Sequence, residues 1–233
     1  MKEVTLSDIT GQPLFGITLT VAAYAAALGL QRRWKALHPL LICSAIIVII
    51  LLLLHVPYEV YQTGGEYIVF LLGPATVALG VPLYKNARRI RQNAISILTG
   101  ISVGSVCAIV LSAALVWCLG GNRELMVTMM PKSVTSPIAL EISRQAGGIP
   151  ELTAVLTVLT GLIGSMLGPG LLRLAGVRDD ISIGTAIGTA AHGIGTARII
   201  RDSELAGSVS GFAMGAAAII TSFLFIPLYV WLH

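Results

Sequence analysis

Three stretches of the 233-residue sequence place polar groups inside segments otherwise apolar enough for a lipid bilayer. The richest is Pro131–Ser143, where Lys132 stands beside Ser133, Thr135 and Ser136. A lysine near the bilayer centre costs on the order of 2.5–3.5 kcal/mol on insertion scales, so it faces a wet cavity or an anion, or snorkels from a surface loop. Pro137 suits the first turn of a half-helix, with Ser136 as its N-cap. Such a helix start aims free N–H groups and a positive dipole end at whatever binds there. Lysine, hydroxyls and helix start together favour an anion, most simply a carboxylate.

The stretch Gly184–Arg198 is dense in Gly and Thr and holds His192, Gly193, Thr196 and Arg198. Its glycines allow close backbone approach and its threonines supply hydroxyl donors. His192 binds a substrate, relays protons near neutral pH, or packs as an ordinary buried residue. Arg198 grips a carboxylate through paired hydrogen bonds, or is a loop charge held by Asp202 or Glu204. The third stretch, Gly73–Tyr84, contains Gly73, Pro74, Gly80 and Pro82, with Thr76 as a candidate contact. Proline removes an N–H and obstructs helical bonding, so a broken or kinked helix is expected. Backbone groups freed at membrane depth need protein or water partners. Pro137, Gly188 and Gly195 complete the predicted set of helix breaks.

Enzymatic signatures are absent: there is no GxSxG, HExxH or phosphate-binding glycine loop. The expectation is a protein that is not an enzyme and has no cofactor. Cys43, Cys107 and Cys118 are odd in number and lack metal-site spacing, so neither a disulfide framework nor a metal is expected. His38, His55 and His233 read as interface or terminal residues.

The elements that position these residues follow from composition. Hydrophobic residues make up 55% and charged residues 11%, and mean hydropathy is +0.87. That balance excludes a soluble globular domain and a disordered chain. The continuous apolar run Leu40–Leu54 argues against a membrane β-barrel, whose strands alternate. Net charge is +4, but the Lys and Arg sit in short loops, so they read as topology signals rather than a nucleic-acid surface.

The expected fold is an all-α polytopic membrane protein with seven to eight membrane segments. These run at Pro13–Leu30, Pro39–Val56, Tyr67–Tyr84, Ala94–Leu119, Leu125–Ile142, Leu152–Leu174, Ile181–Ala197 and Val209–Leu232. The basic loops Gln31–His38, with Arg32, Arg33 and Lys35, and Lys85–Gln92 should face the cytoplasm; Pro57–Glu66 should lie outside. No cleavable signal peptide is evident, and the first segment should act as an uncleaved insertion signal.

A weak internal similarity pairs Gly73-x-Ala75-x-x-x-x-Gly80 with Gly188-x-Ala190-x-x-x-x-Gly195. The offset of 115 (188 − 73) also relates Gly100 to Gly215. One membrane domain, 1–233, is expected, with repeats at 10–120 and 121–233. Interrupted segments at corresponding positions of two halves point to a transporter binding site.

Four stretches resemble the LrgB/CidB family of antiholin-like and holin-like membrane proteins: Leu72–Lys85, Pro131–Ser143, Gly147–Val155 and Gly188–Arg198. Their order and spacing fit the family, and the resemblance covers nearly the whole chain. The resemblance implies a multi-pass protein of the bacterial inner (plasma) membrane with a smaller LrgA/CidA-type partner. It also implies a role in murein hydrolase activity and autolysis, or transport of small monocarboxylates such as pyruvate, glycolate or glycerate. Plant relatives fuse both parts into a plastidial glycolate/glycerate transporter. The chain is too short to contain the partner, so it should need that protein or work as a homo-oligomer, such as a dimer, in the bilayer.

Overall fold

The computed structural model describes residues 12–34 and 38–232; Lys35 and His233 lie outside the described residues. The described residues are helical, without strands. They pack as two units, Met1–Ala78 and Leu79–His233.

The first unit holds α1 (Pro13–Arg33), α2 (Pro39–Leu53), α3 (Tyr58–Phe70) and α4 (Leu72–Ala78). Its core joins Ala23 and Ala27 of α1 to Cys43, Ile47 and Leu51 of α2. Each set repeats every four residues, so each lines one helix face. Against α3 the backbones nearly touch: a Cβ on Gly64 would lie 2.7 Å from the Gly16 Cα. Thr20 Oγ1 and the Tyr61 hydroxyl, 2.8 Å apart, hydrogen-bond across the same contact. This packing explains why Pro57–Glu66, expected as an outside loop, is helical from Tyr58 onward.

The Gly73–Tyr84 stretch is broken, three residues upstream of each proline. Helix α3 ends before Leu71 and α4 before Leu79; α5 (Gly80–Lys85) follows. Pro74 and Pro82 cannot donate to the carbonyls of Phe70 and Ala78, and their rings crowd those carbonyls. Asn86 and Asn93 then punctuate the chain around α6 (Ala87–Gln92). Their side-chain amides donate to the carbonyls of Pro82 (3.0 Å) and Arg89 (2.9 Å), competing with the backbone.

The second unit continues with α7 (Ala94–Cys118), α8 (Arg123–Met129), α9 (Ser136–Gln145), α10 (Pro150–Leu174), α11 (Asp180–Ile199) and α12 (Glu204–Leu232). Helices α11 and α12 pack most closely. Gly184 and Gly188 lie against the backbone at Ala206 and Ser210, where any Cβ would collide. Beside them Ile97 and Ile101 of α7 meet Val209, Ala213 and Ala217 of α12.

Side chains in this unit are distributed as in a membrane protein. Leu115, Trp117, Leu167, Leu171 and Phe223 face outward, while Thr128, Ser143, Thr153, Thr157, Thr196 and Ser210 are inside. Hydrocarbon outside removes the usual reason to bury leucine, and small or hydroxyl residues then fill the helix contacts. Among the described residues, five stretches are long and apolar enough to cross a membrane: Pro13–Arg33, Tyr58–Lys85, Ala94–Cys118, Pro150–Leu174 and Glu204–Pro227. The expected segments two, five and seven differ from these. Pro39–Leu53 is shorter, the fifth is the hairpin of α8 and α9, and the seventh is the polar helix α11.

The hairpin is fastened to α10 by buried hydroxyls. Thr128 Oγ1 donates to the Glu124 carbonyl (2.7 Å) and accepts from the Ile149 N–H (2.9 Å). Thr153 Oγ1 lies 2.7 Å from Ser143 Oγ and 3.0 Å from the Thr128 carbonyl. Gly147, at φ 82°, takes the left-handed turn out of α9. A Cβ on Gly148 would lie 2.6 Å from Ser143 Oγ, so the network needs glycine there. At the other end of α10, Asp179 caps α11 by accepting from the N–H groups of Ile181 and Ser182. The Ser182 side chain, with those backbone donors, holds the Asp179 carboxyl below its ordinary value against the opposing effect of burial.

Two stability outcomes follow. Thr153→Val keeps the shape but orphans Ser143, and should cost about 1–3 kcal/mol in chemical unfolding in detergent. Asp179→Ala should cost about 0.5–2 kcal/mol at pH 7. A depressed carboxyl stabilises above its unfolded value and loses that effect as pH falls through the folded one. The gap between Asp179→Ala and the parent should therefore close in unfolding curves taken below about pH 4.

Candidate functional site

Helix α11 is broken in its middle. His192 has φ 39° and ψ −138°, a left-handed conformation, with helix on both sides. The break falls between Gly188 and Gly195 rather than at either predicted glycine. Those two serve packing: Gly188 meets Ser210, and a Cβ on Gly195 would lie 2.6 Å from that of Ala191.

Tertiary contacts hold His192 in this unfavourable conformation. Its side chain is buried, and its Nε2 lies 2.9 Å from the Thr157 carbonyl. A carbonyl only accepts, so Nε2 carries the proton and Nδ1 remains an acceptor in the neutral ring. Gly161, one turn beyond Thr157 on α10, leaves the space that the imidazole fills: a Cβ there would lie 2.6 Å from both Cε1 and Nε2. The His192 carbonyl accepts from Thr196 Oγ1 (2.8 Å), into which Ser210 donates (2.8 Å). The imidazole is thus held by α10, and the His192 carbonyl by Thr196 of α11 itself with Ser210 of α12 behind it.

Next to it runs a groove of about 430 Å³ between α7 and the first half of α11. Gly100 and Gly104 face Thr185 and Thr189, whose methyl carbons would stand 3.3 and 3.1 Å from a Cβ at those glycines. Ser96 and Ser182 add hydroxyls to the lining. At Ala108 and Thr189 the groove meets a small cavity shared by α7, the α8–α9 turn, α11 and α12. Ser105, Ser133, Thr189 and Thr221 supply its polar lining.

The predicted residues divide accordingly. Ser133 lines the small cavity, and Lys132, half-buried beside it in the chain, has no ion-pair partner among the described residues. Thr135, not Ser136, is the N-cap of α9: its ψ is 144° and Ser136 is already helical, with Pro137 in the first turn. Thr196 belongs to the His192 cluster, and Gly193 is half-buried, 3.6 Å from Met214 Sδ by its absent Cβ. Arg198 is held at the exposed end of α11 by Asp202, at 2.6 Å. Thr76 lies on α4 in the first unit, exposed, with its hydroxyl bonded to the Leu72 carbonyl. Gly73 and Gly80 have open space around them, unlike Gly188 and Gly195, with which they align.

Ser105, Thr157, Gly161, Ser210 and Thr221 were not anticipated. One signal for them is legible in retrospect: Thr153, Thr157, Gly161 and Ser165 recur every fourth residue, a polar stripe along α10. All four are buried.

Gly161→Ala should displace the imidazole and destabilise by about 1–3 kcal/mol. In a His192→Ala background the same substitution should be close to neutral. A double-mutant cycle in unfolding free energy measures this, and additive effects would separate Gly161 from His192.

Known proteins resemble this chain over nearly its full length. Residues 20–231 match the model of the LrgB-like family. The chain is 39% identical over 218 residues to the uncharacterized protein YxaC of Bacillus subtilis, covering 93% of this chain and 94% of that one. It is 34% identical over 223 residues to the holin-like protein CidB of Staphylococcus epidermidis, covering 95% and 97%. CidB of Staphylococcus aureus shows the same identity and coverage. No solved structure matches. With its family model and its relatives aligned nearly end to end, the chain belongs to the LrgB-like family.

Proposed function

We propose that this chain is a holin-like component of a bacterial inner membrane that alters permeability to small solutes and thereby influences murein hydrolase activity and autolysis. The observation that carries the reading is the broken helix α11, set beside the hydroxyl-lined groove and held inside the protein by α10 and α12. A full helix packs as well and needs no strained residue; a break at membrane depth is tolerated where irregular backbone is buried in protein or lines a cavity. The relatives named holin-like align over 97% of their length, which supports the same reading.

In this proposal α2, the α8–α9 hairpin and α11 join the five long stretches, giving seven or eight membrane segments in two repeats. The protein works as a dimer or with a smaller LrgA/CidA-type partner, and carries out no enzymatic reaction.

A second reading gives the pathway a substrate class, small monocarboxylates. Its support is Lys132, a half-buried cation without an ion-pair partner among the described residues. The turn that bears it leads into the start of α9, where the dipole favours negative charge.

Flux of labelled pyruvate, glycolate, glycerate and sucrose into proteoliposomes, with and without the partner, tests both readings. The monocarboxylate reading expects saturable, mutually competing uptake of the acids, lowered at least tenfold by Lys132→Ala. Equal passage of sucrose, indifferent to that substitution, would leave the holin-like reading and remove the second. No flux of any solute in either preparation would overturn both.

A further inference from the structure

Helix α11 returns to the end of the unit from which it starts. A straight helix of its 20 residues would hold its ends about 30 Å apart. Instead Ser203, just after α11, donates to the carboxylate of Asp180 at its start, at 2.7 Å. Inside the fold, a Cβ on Gly195 would lie 2.8 Å from Ile187 Cγ2, and Ile199 shares an apolar cluster with Ile183. The break at His192 is therefore the tip of a hairpin whose two arms lie side by side.

The α8–α9 hairpin enters from the other end. Helices α7 and α12 run parallel: Ile97 and Val209 share one cluster near their starts, and Ile109, Ala113 and Phe225 share another further along. The arms of α8–α9 join the second cluster through Val127 and Ala146. Those of α11 meet Ala206, in the first turn of α12. The tips face each other across the small cavity, lined by Met130, Pro131, Ser133 and Val134 from one and Thr189 from the other. Charge agrees with this arrangement. Lys85, 3.6 Å from Glu204, gathers with Arg173, Arg178, Arg198 and Arg201 at the α11 end, against Arg123 and Arg144 at the α8–α9 end. That excess assigns the α11 end to the cytoplasm; a crossing α11 would set Arg198 and Arg201 opposite Arg173 and Arg178.

The groove beside α11 extends from Ser182, in its first turn, to Thr189 near its tip. There it narrows to the cavity, which has room for about one water, and the α8–α9 turn stands across the way. The two tips are held differently. That of α11 is bonded to its neighbours through His192 to Thr157 and Thr196 to Ser210. The arms of α8–α9 are pinned by Thr128, Ser143 and Thr153, but the turn between them is not. The bonds of the Lys132 and Val134 N–H groups stay inside the turn. Among the described residues, no hydrogen bond joins residues 130–135 to α7, α11 or α12. Packing alone holds the turn there, and elements with few bonds to their surroundings are the ones that open locally.

We propose that α11 and α8–α9 are re-entrant hairpins from opposite faces, and that the α8–α9 turn is a gate across a path open from the cytoplasm as far as Thr189. Resting on the permeability reading, this makes the chain a gated barrier rather than a standing hole. The path completes only when the turn moves away from Thr189 and Thr221, while its arms and the α11 tip stay in place.

The test is labelling by a membrane-impermeant methanethiosulfonate in right-side-out and inverted vesicles, with Cys43, Cys107 and Cys118 replaced by alanine. Arg178→Cys and Arg201→Cys, flanking α11, should both react only in inverted vesicles. Glu124→Cys and Gln145→Cys, on the arms of α8–α9, should react only in right-side-out ones. Thr189→Cys should react at least tenfold faster in inverted vesicles. Adding Val134→Ala or Met130→Ala thins the packing of the turn and should speed its reaction in right-side-out vesicles at least tenfold. An unchanged rate in inverted vesicles reports that each variant is folded. Opposite faces for the α11 pair, or one face for all four flanking positions, would overturn the hairpins. Equal rates for Thr189→Cys from both faces, no reaction in inverted vesicles, or a right-side-out rate unmoved by both turn variants would overturn the gate. Labelling needs no flux: vesicles that pass no solute yet give the expected pattern would remove the permeability reading and keep the gate.

Discussion

A helix that stops and restarts inside a protein leaves carbonyl and N–H groups that need partners there. The second unit is arranged around that demand at His192. Its carbonyl takes the Thr196 proton, its imidazole donates to Thr157, and Ser210 completes the chain of hydroxyls. Each partner requires another concession. The imidazole needs the missing side chain of Gly161, and the approach of α12 needs that of Gly188. One strained residue thereby dictates composition on three helices.

The hairpin of α8 and α9 meets the same demand differently. Its turn is closed by short backbone bonds, Lys132 N–H to the Met129 carbonyl and Val134 N–H to that of Pro131. Its flanks are pinned by Thr128, Ser143 and Thr153, all fully buried. Groove and cavity lie where these two irregular elements come close; Thr185 and Thr189 there bond to backbone carbonyls, whereas Ser105 Oγ is buried without a partner. Polar capacity in this fold is therefore spent first on the backbone, and what remains faces the open space.

Sequence reading located the irregular regions better than their details. Two prolines and two glycines between Gly73 and Pro82 announce a broken helix, and the structure has one. In α11 the glycines pointed to the right turn of helix but to the wrong residue, because Gly161 and Thr157 select the break from another helix. Ser136 is the expected N-cap of α9, whereas Thr135 takes that position with an extended backbone and no side-chain cap bond. Pro57–Glu66 reads as an outside loop because its only charges are Glu59 and Glu66, between two basic loops, whereas the contact of Gly16 with Gly64 is invisible without α1 beside it. Ser105 shares α7 with Ser96, Thr99, Ser102 and Ser112, and Thr221 stands next to Ser222, so no local pattern singles them out.

The network that fastens the hairpin has a consequence for how the chain is made. Thr128, Ser143, Ile149 and Thr153 reach one another over 10 to 25 residues of sequence. The His192–Thr157 bond spans 35 residues and that between Asn86 and Ser208 spans 122. Short-range closure forms faster because less chain must be ordered first. During synthesis, α8, α9 and α10 can dock before α12 has left the ribosome. The break in α11 would then be moulded onto a surface already present, with α12 arriving last to lock it.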